Sequence, residues 1–490
     1  MMAPARAPVV ASRRLVVVAV ILGTTTVSLN NTSLNPALPA FIEAFELGPV
    51  MATWIVAAFM VSMGMTMPLT GYLAQRVGRK LMYLAGLALF VAGSLLGAMA
   101  DSIAWVITAR VVQGIASGLM IPLSLAIIFS VYPKGERGAV TGLWGAAVML
   151  APAVGPLCGS LVLQGYDWRA LFLVNVPIGL LAFGLGVNVL PRNEAGAGKP
   201  FDLTGYLLVA VGIGVLMLTV GQLRHMQALQ DPLNLLGLLL AAACLLGFVR
   251  HQLRHTAPLL ELRIFALKGY RSSVIIAVVQ SIGMFECLVL VPLLVQMVMG
   301  HSAIWTGIAL LCTALSASLF GHYGGRLLDR HGPRGIVSLG LLLTGLPTFA
   351  LGTVDHDVGM LAICLLMVVR GAGLGLSYMP VTTAGLDVLP EALITQGAAM
   401  NNISRRLLSS LAIVLASLWL QIRLGDEWGA AHAGAVHSGA AQAGTASAIG
   451  EVFIATAVLI LLALPFAWRF PHSPSNDPVE QGSALSEHRS

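Results

Sequence analysis

One carboxylate and two guanidinium groups lie where ordinary packing would not put them. Glu286 stands inside the apolar stretch Ser281-Ile-Gly-Met-Phe-Glu286-Cys-Leu-Val-Leu, and Arg110 and Arg370 stand inside two others. A charge deep in such a segment costs about 2.5–3.5 kcal/mol on membrane-insertion scales, so each is a functional candidate by default. Glu286 is the one acid near the centre of such a stretch. A carboxyl there can load and release a proton; the alternative is a carboxyl paired to a neighbouring helix or kept neutral. Arg110 and Gln113 lie one helical turn apart on one face. With Glu286 and Arg370 they are the candidates for proton coupling, against arginines that snorkel and stabilise helix packing.

Asn30, Asn31 and Asn35 make the first apolar stretch unusually polar, and Thr32 adds to it. These amides can line a cavity and hydrogen-bond a substrate, or tie neighbouring helices together at about 1 kcal/mol each. Pro152 and Pro156 each remove a backbone donor and kink a helix. Gly155 and Gly159 beside them let a partner helix approach. The four can form a hinge or seal, or serve packing alone.

Other chemistry is not visible. No Ser/His/Asp set, HExxH or Cys/His cluster marks an enzyme or a metal site, and no cofactor is expected. Gly198-Lys199 is followed by Pro200 and fails the phosphate-loop pattern, which argues against a nucleotide-driven pump. Cys158, Cys244, Cys287, Cys312 and Cys364 lie in apolar stretches without CxxC spacing and read as buried free thiols. His432 and His437 read as solvated loop residues rather than metal ligands.

The elements that must hold these residues follow from composition. Of 490 residues, 57% are hydrophobic and 10% charged, with a mean hydropathy of +0.87. Soluble domains carry about 25% charged residues. Too few charges remain to coat soluble domains, and disorder is excluded for most of the chain. The net charge of +6 is scattered without a basic block, which argues against nucleic acid as a partner. The expectation is an all-α polytopic membrane protein. A bilayer core needs about 20 apolar residues in helix. Fourteen such runs lie near 15–38, 52–73, 81–100, 103–131, 138–163, 170–190, 204–223, 233–250, 271–298, 302–324, 335–353, 358–381, 394–421 and 448–469. Bends are expected in the long fourth and thirteenth runs. The first follows Arg13 and Arg14 but is too long for a signal-peptide core, so it reads as a retained span.

Placing the N-terminus in the cytoplasm puts Arg76, Arg79, Lys80, Lys134, Arg137, Arg250, Arg254, Arg326, Arg330 and Arg334, among others, inside. Of the loop residues, Arg169, Arg224 and Arg423 fall outside. That asymmetry implies an even number of spans with both termini cytoplasmic. Leu424 to Gly450 reads as an external loop, and the tail after Arg469 as disordered.

A repeat organises the runs. Gly71-Tyr-Leu-Ala-Gln-Arg-Val-Gly-Arg-Lys80 and Gly325-Arg-Leu-Leu-Asp-Arg-His-Gly-Pro-Arg334 share Gly, Leu, Arg and Gly at the same offsets. Each is followed by one span and then by a span carrying Arg110 or Arg370. Long-period similarity indicates duplicated halves, and two six-span halves enclosing a midplane site can rock against each other. The expected organisation is a cytoplasmic N-terminus (1–14), a six-helix half (15–200), two inserted linker helices (201–255), a second six-helix half (256–470) and a tail (471–490). Gly71, Arg76, Gly78, Arg79, Gly325, Asp329, Arg330 and Gly332 are the gating-loop candidates. Gly71 and Gly325 are expected to let the chain leave a helix and to bring two backbones close.

The chain resembles the major facilitator superfamily over roughly residues 15–420, and in particular its fourteen-span drug:proton antiporters of EmrB/QacA type. Gly71–Lys80 is similar to that family's loop G-x-L-x-D-R-x-G-R-K, with Gln75 in place of the acid, which the second copy keeps as Asp329. Leu29-Asn-Asn-Thr-Ser-Leu-Asn-Pro-Ala-Leu-Pro39 is similar to L-D-x-T-x-x-N-x-A-L-P, with Asn30 where the acid is expected. Arg110-Val-Val-Gln-Gly114 resembles the R-x-x-Q-G motif that the family links to proton coupling. Gly155-Pro156-x-x-Gly159 resembles the fifth-span antiporter motif, with Ala151 and Ser160 replacing two glycines. Trp168 to Gly179 resembles the segment that opens the sixth span.

The resemblance implies a secondary transporter of the bacterial inner membrane that expels apolar or amphipathic small molecules against inward proton flow. Its partners would be the substrate, protons, the lipid bilayer and, as a candidate, a periplasmic adaptor protein. A dedicated exporter of a metabolite or siderophore, a uniporter, and a membrane receptor or scaffold that does not transport are the alternatives. Asn30 cannot titrate, so coupling would have to use another group.

Overall fold

In lipid, backbone amides are satisfied within helices or closed barrels, and among the described residues this chain forms helices and no strand. The computed structural model describes residues 13–46, 49–191, 200–223, 228, 230–354, 358–424 and 439–470. The first half comprises α1 (Arg13–Ser33), α2 (Pro49–Thr66), α3 (Leu69–Val77), α4 (Arg79–Ala98), α5 (Ile103–Val131), α6 (Arg137–Gly165) and α7 (Asn175–Val189). The inserted pair is α8 (Leu203–Gln222) and α9 (Pro232–Arg254). The second half comprises α10 (Lys268–Leu293), α11 (Ala303–His331), α12 (Pro333–Leu351), α13 (Met360–Asp387), α14 (Ile394–Leu424) and α15 (Gly439–Leu462). Twelve described helices are long and apolar enough to cross a membrane, and counting each of two bent pairs as one crossing gives fourteen.

Of the bends the sequence suggested, the one at Pro152 is seen, while the long fourth and thirteenth runs show no break. The fourth and thirteenth runs are each one continuous helix, and Pro122 is accommodated inside the fourth. The second run breaks by 58° between α2 and α3, and α6 bends by 45° between Ala151 and Val154. Both breaks coincide with a proline, Pro68 and Pro152, whose missing N–H interrupts the helical ladder.

Both described ends of the chain lie on one face. Arg13 pairs with Glu136 at 3.3 Å, and Arg334 stacks over the Trp468 ring at 4.5 Å. This face also carries Arg76, Arg79, Arg137, Arg254, Arg326 and Arg330, so it is the arginine-rich face.

Within the first half, α1 packs on α5, α6 and α7, and α4 and α2 pack on α5. Within the second, α13 packs on α11 and α12, and α10 packs on α14. The inserted α8 leans on α2 of one half and α14 of the other. Its partner α9 is outermost, with Leu236, Leu239 and Leu246 exposed towards the acyl chains. Asp202 pins this pair. It accepts from the Gly205 N–H at 2.8 Å at the start of α8, contacts His251 Nε2 at 2.8 Å and accepts from Gln252 Nε2 at 2.7 Å on α9. Burial pushes the Asp202 carboxyl up, but the hydrogen bonds from Gly205, His251 and Gln252 outweigh it and hold the group below its ordinary value.

The repeated glycines divide their work differently from expectation. The chain turns at Gly78 (φ 95°) and Gly332 (φ 75°), where a left-handed backbone favours glycine. Gly71 and Gly325 lie inside α3 and α11 instead. They serve close contact, not a turn.

Candidate functional site

Three sets of polar residues sit between or within the halves. The first joins the two halves at the arginine-rich face. A Cβ on Gly325 would stand 1.9 Å from the Gly138 carbonyl oxygen, and one on Gly142 would stand 2.4 Å from that of Gly321. Glycine is therefore what lets α6 and α11 meet backbone to backbone. At the end of this seam, Asp329 accepts from the Gly138 and Ala139 N–H groups, each at 2.8 Å. These are unsatisfied donors at the N-terminus of α6, where the helix dipole favours an anion. Arg137 pairs with Asp387 at 2.6 Å, and the Thr141 and Thr383 hydroxyls meet at 2.7 Å.

The first copy of the loop grips the other half too. Gln75 Nε2 donates to the Ala392 carbonyl at 3.1 Å, and Arg79 donates to the Glu391 carbonyl at 3.2 Å. Gly71 faces the Gln396 side chain. Gln75 thus occupies the offset of Asp329 with the polarity reversed: a donor to a carbonyl instead of an acceptor of amides. Arg76 and Arg330 are exposed and take no part in these grips; Arg76 donates to Tyr72 Oη in its own helix.

The second set fills the interior of the first half. Asn175 Nδ2 donates to Asn30 Oδ1 at 3.1 Å, and Asn30 Nδ2 donates to Gln113 Oε1 at 3.2 Å. Gln113 Nε2 donates to Ser94 Oγ at 2.9 Å. Arg110 donates to the same Gln113 oxygen at 3.0 Å and to the Ile55 carbonyl at 2.9 Å, and its guanidinium carbon lies 4.3 Å from the Phe59 ring centroid. Asn30, Gln113 and Arg110 are fully buried. Asn30 therefore bonds across α1, α5 and α7; of its two sequence readings, the geometry is that of a helix tie. Asn31 is partly buried and its Oδ1 lacks a partner. The side chains of Asn35 and Pro152 lie outside the described residues.

The third set lies in the second half. Glu286 is buried and accepts a hydrogen bond from the Thr456 hydroxyl on α15. Arg370 acts on it electrostatically, while donating to Thr348 Oγ1 at 3.1 Å and to the Gly283 carbonyl, one turn before Glu286. The structure thus brings Glu286 and Arg370 together, and Arg110 with Gln113 in the other half, but not all four in one place.

Gly155 and Gly159 face α1 of their own half, where added Cβ atoms would stand 2.1 Å from Thr32 Oγ1 and 2.2 Å from the Ser33 carbonyl. The close approach between halves comes from Gly138 and Gly142, earlier on α6. Sequence reasoning missed these two, and it also missed Arg405 and Arg406 inside α14. The available signal for the arginines was their position beyond Asn401 and Asn402 in the apolar run 394–421.

Comparison with known proteins places this architecture. The sequence profile of the Major Facilitator Superfamily matches residues 20–413. The chain is 29% identical over 392 residues to the multidrug resistance protein B homolog of Mycobacterium tuberculosis, covering 79% of this chain and 73% of that protein. It is 28% identical over 395 residues to the multidrug export protein EmrB of Haemophilus influenzae, covering 80% and 77%. Its fold is similar to a solved structure of the proton:xylose symporter XylE bound to 6-bromo-6-deoxy-D-glucose, with a TM-score of 0.66 at 16% identity, covering 96% of this chain and 98% of that one. With the paired halves, the repeated loops and a profile match spanning most of its length, the chain belongs to the Major Facilitator Superfamily.

Proposed function

We propose that this protein is a proton-driven exporter of apolar or amphipathic compounds across the bacterial inner membrane, with the arginine-rich face and both termini in the cytoplasm. The observation that carries this reading is where the halves touch. The hydrogen bonds and ion pairs seen between their described residues all lie at or within a turn or so of the arginine-rich face. A transporter closed there presents its interior to the outside, which is the state from which an exporter releases substrate and accepts a proton. The names of the multidrug relatives support export of drug-like compounds.

Glu286 is the group that loads the proton. It is buried, carries a single described hydrogen-bond partner, Thr456, and lies beside a fixed cation, Arg370. Its protonation changes the net charge of the α10–α13–α15 junction, and substrate and proton drive one another if each binds the two states differently.

The test uses purified protein in liposomes with an imposed pH gradient and a fluorescent amphiphile as cargo. Glu286→Gln imitates the protonated carboxyl with almost no change in volume. The variant is expected to bind cargo but to lose its response to the gradient, by about tenfold or more in initial rate. Full pH-driven export by Glu286→Gln would make Glu286 structural.

A further inference from the structure

The function proposed above leaves unexplained two arginines inside the thirteenth span. Arg405 and Arg406 lie about 16 Å along α14 from Ile394, at about 1.5 Å per residue. Among the described residues no carboxylate oxygen comes within 4 Å of either. The ionisable groups that act on Arg406 are Arg405 and Tyr378, so two cations share one region without a counter-ion.

Several buried polar atoms around Arg405 lack partners among the described residues. Arg405 is buried, stacks on the Tyr378 ring at 4.7 Å and donates from one terminal nitrogen to Asn402 Oδ1 at 2.9 Å. Among the described residues its other terminal nitrogen has no partner. Among those residues Asn401, one turn before, has neither amide atom paired, and the Ser409 hydroxyl, one turn after, is also unpaired. All three residues are at least nine-tenths buried. They stand four residues apart and share one helix face. Native interiors pair nearly all such groups, so three unpaired ones on successive turns call for a ligand.

An oxyanion satisfies this arrangement. A guanidinium presents parallel N–H donors that match a carboxylate, phosphate or sulfonate, and Asn401 and Ser409 offer further donors on either side. The Tyr378 ring supplies an apolar wall. A cationic cargo would instead meet two like charges. We infer that the α14 face centred on Arg405 is a cargo site for anionic amphiphiles, an apolar body carrying a carboxylate or similar oxyanion. This rests on the export reading and narrows its substrate class.

The experiment titrates purified, detergent-solubilised protein with pyrenebutanoate and with pyrenemethylammonium. These share an aromatic body and carry opposite charges. Binding is read from quenching of tryptophan fluorescence. The carboxylate should bind about tenfold more tightly or better. Arg405→Gln should bring the two probes within about threefold. Arg405→Lys should keep an intermediate preference, since it retains the charge without the fork. Equal binding of the two probes by the unaltered protein overturns the proposal and needs no variant to fold. So does a preference that survives Arg405→Gln. Export in liposomes is measured separately on the same preparation. Export without charge preference removes the anion site and leaves the transporter; preference without export does the reverse.

Discussion

The second copy of the repeated loop closes backbone to backbone, whereas the first closes through side chains. Gly325 lies against the Gly138 carbonyl with no room for a methyl group, and Asp329 holds two amides of the opposing helix. At the equivalent offsets, Gly71 meets the movable Gln396 side chain, and Gln75 makes one exposed hydrogen bond to Ala392. The Arg79–Glu391 pair beside it is 3.8 Å long and its carboxylate is mostly exposed, while the Arg137–Asp387 pair beside the second copy is 2.6 Å and more buried. Duplicated sequence has therefore given two unequal closures. The seam along α6 and α11 is the tighter one, and the contact of α3 with α14 is the looser.

The largest test of that inequality adds one methyl group to each copy. Gly325→Ala must push apart two backbones that cannot yield locally, and overpacking of this kind costs about 1–3 kcal/mol or more. We expect a lowered melting temperature in detergent and loss of export in liposomes. Gly71→Ala displaces only a side chain, so its cost should stay below about 1 kcal/mol with most export retained. Equal costs at the two sites would mean that the two closures are equivalent.

A smaller effect is expected at Asp329. Asn in its place keeps the shape but loses the charge at the α6 N-terminus, and its NH2 group cannot accept from the second amide. Losing one charge-assisted acceptor and leaving a donor unpaired costs about 1–3 kcal/mol. Cysteine labelling from the side of the arginine-rich face should then find residues along α6 more accessible in Asp329→Asn than in the unaltered protein. Labelling that stays unchanged would show that the glycine seam alone holds the closure.

Much of this was legible in the sequence for a physical reason. Hydropathy marks where a helix must lie in lipid, so the fourteen runs match the helices closely, and the repeat marks where the halves correspond. The Arg110–Gln113 contact was legible because it is local, one turn apart. Contacts made between distant segments left no such mark. Thr456, which holds Glu286, is 170 positions away. Asn30 could have pointed to a cavity or to a neighbour, because helix rotation is set by packing that a single strip of sequence does not record. Gly71 and Gly325 read as both turn formers and points of close approach, because glycine signals either; Gly78 and Gly332 took the turns. Arg405 and Arg406 were overlooked because their run satisfies the apolar test as a whole, which hides a polar face on one side of α14.

Gln75 gives the finest test of the comparison. The resemblance of the loop to its family implies an acid at this position, so Gln75→Asp would restore the pattern that Asp329 keeps in the second copy. The surroundings argue against any gain. Gln75 faces the Ala392 carbonyl, an acceptor that a carboxylate cannot satisfy, and Glu391 stands next to it as a second negative charge. Among the described residues no backbone amide donates to Gln75, whereas two donate to Asp329. The substitution should therefore weaken the first closure by about 0.5–1 kcal/mol, the range for exposed charges, and the loss should shrink as salt screens the repulsion. Melting temperatures of Gln75→Asp in low and high salt measure this directly. A variant more stable than the unaltered protein would mean that the first copy can adopt the second copy's grip, and that the two closures differ by one side chain rather than by the backbones that carry them.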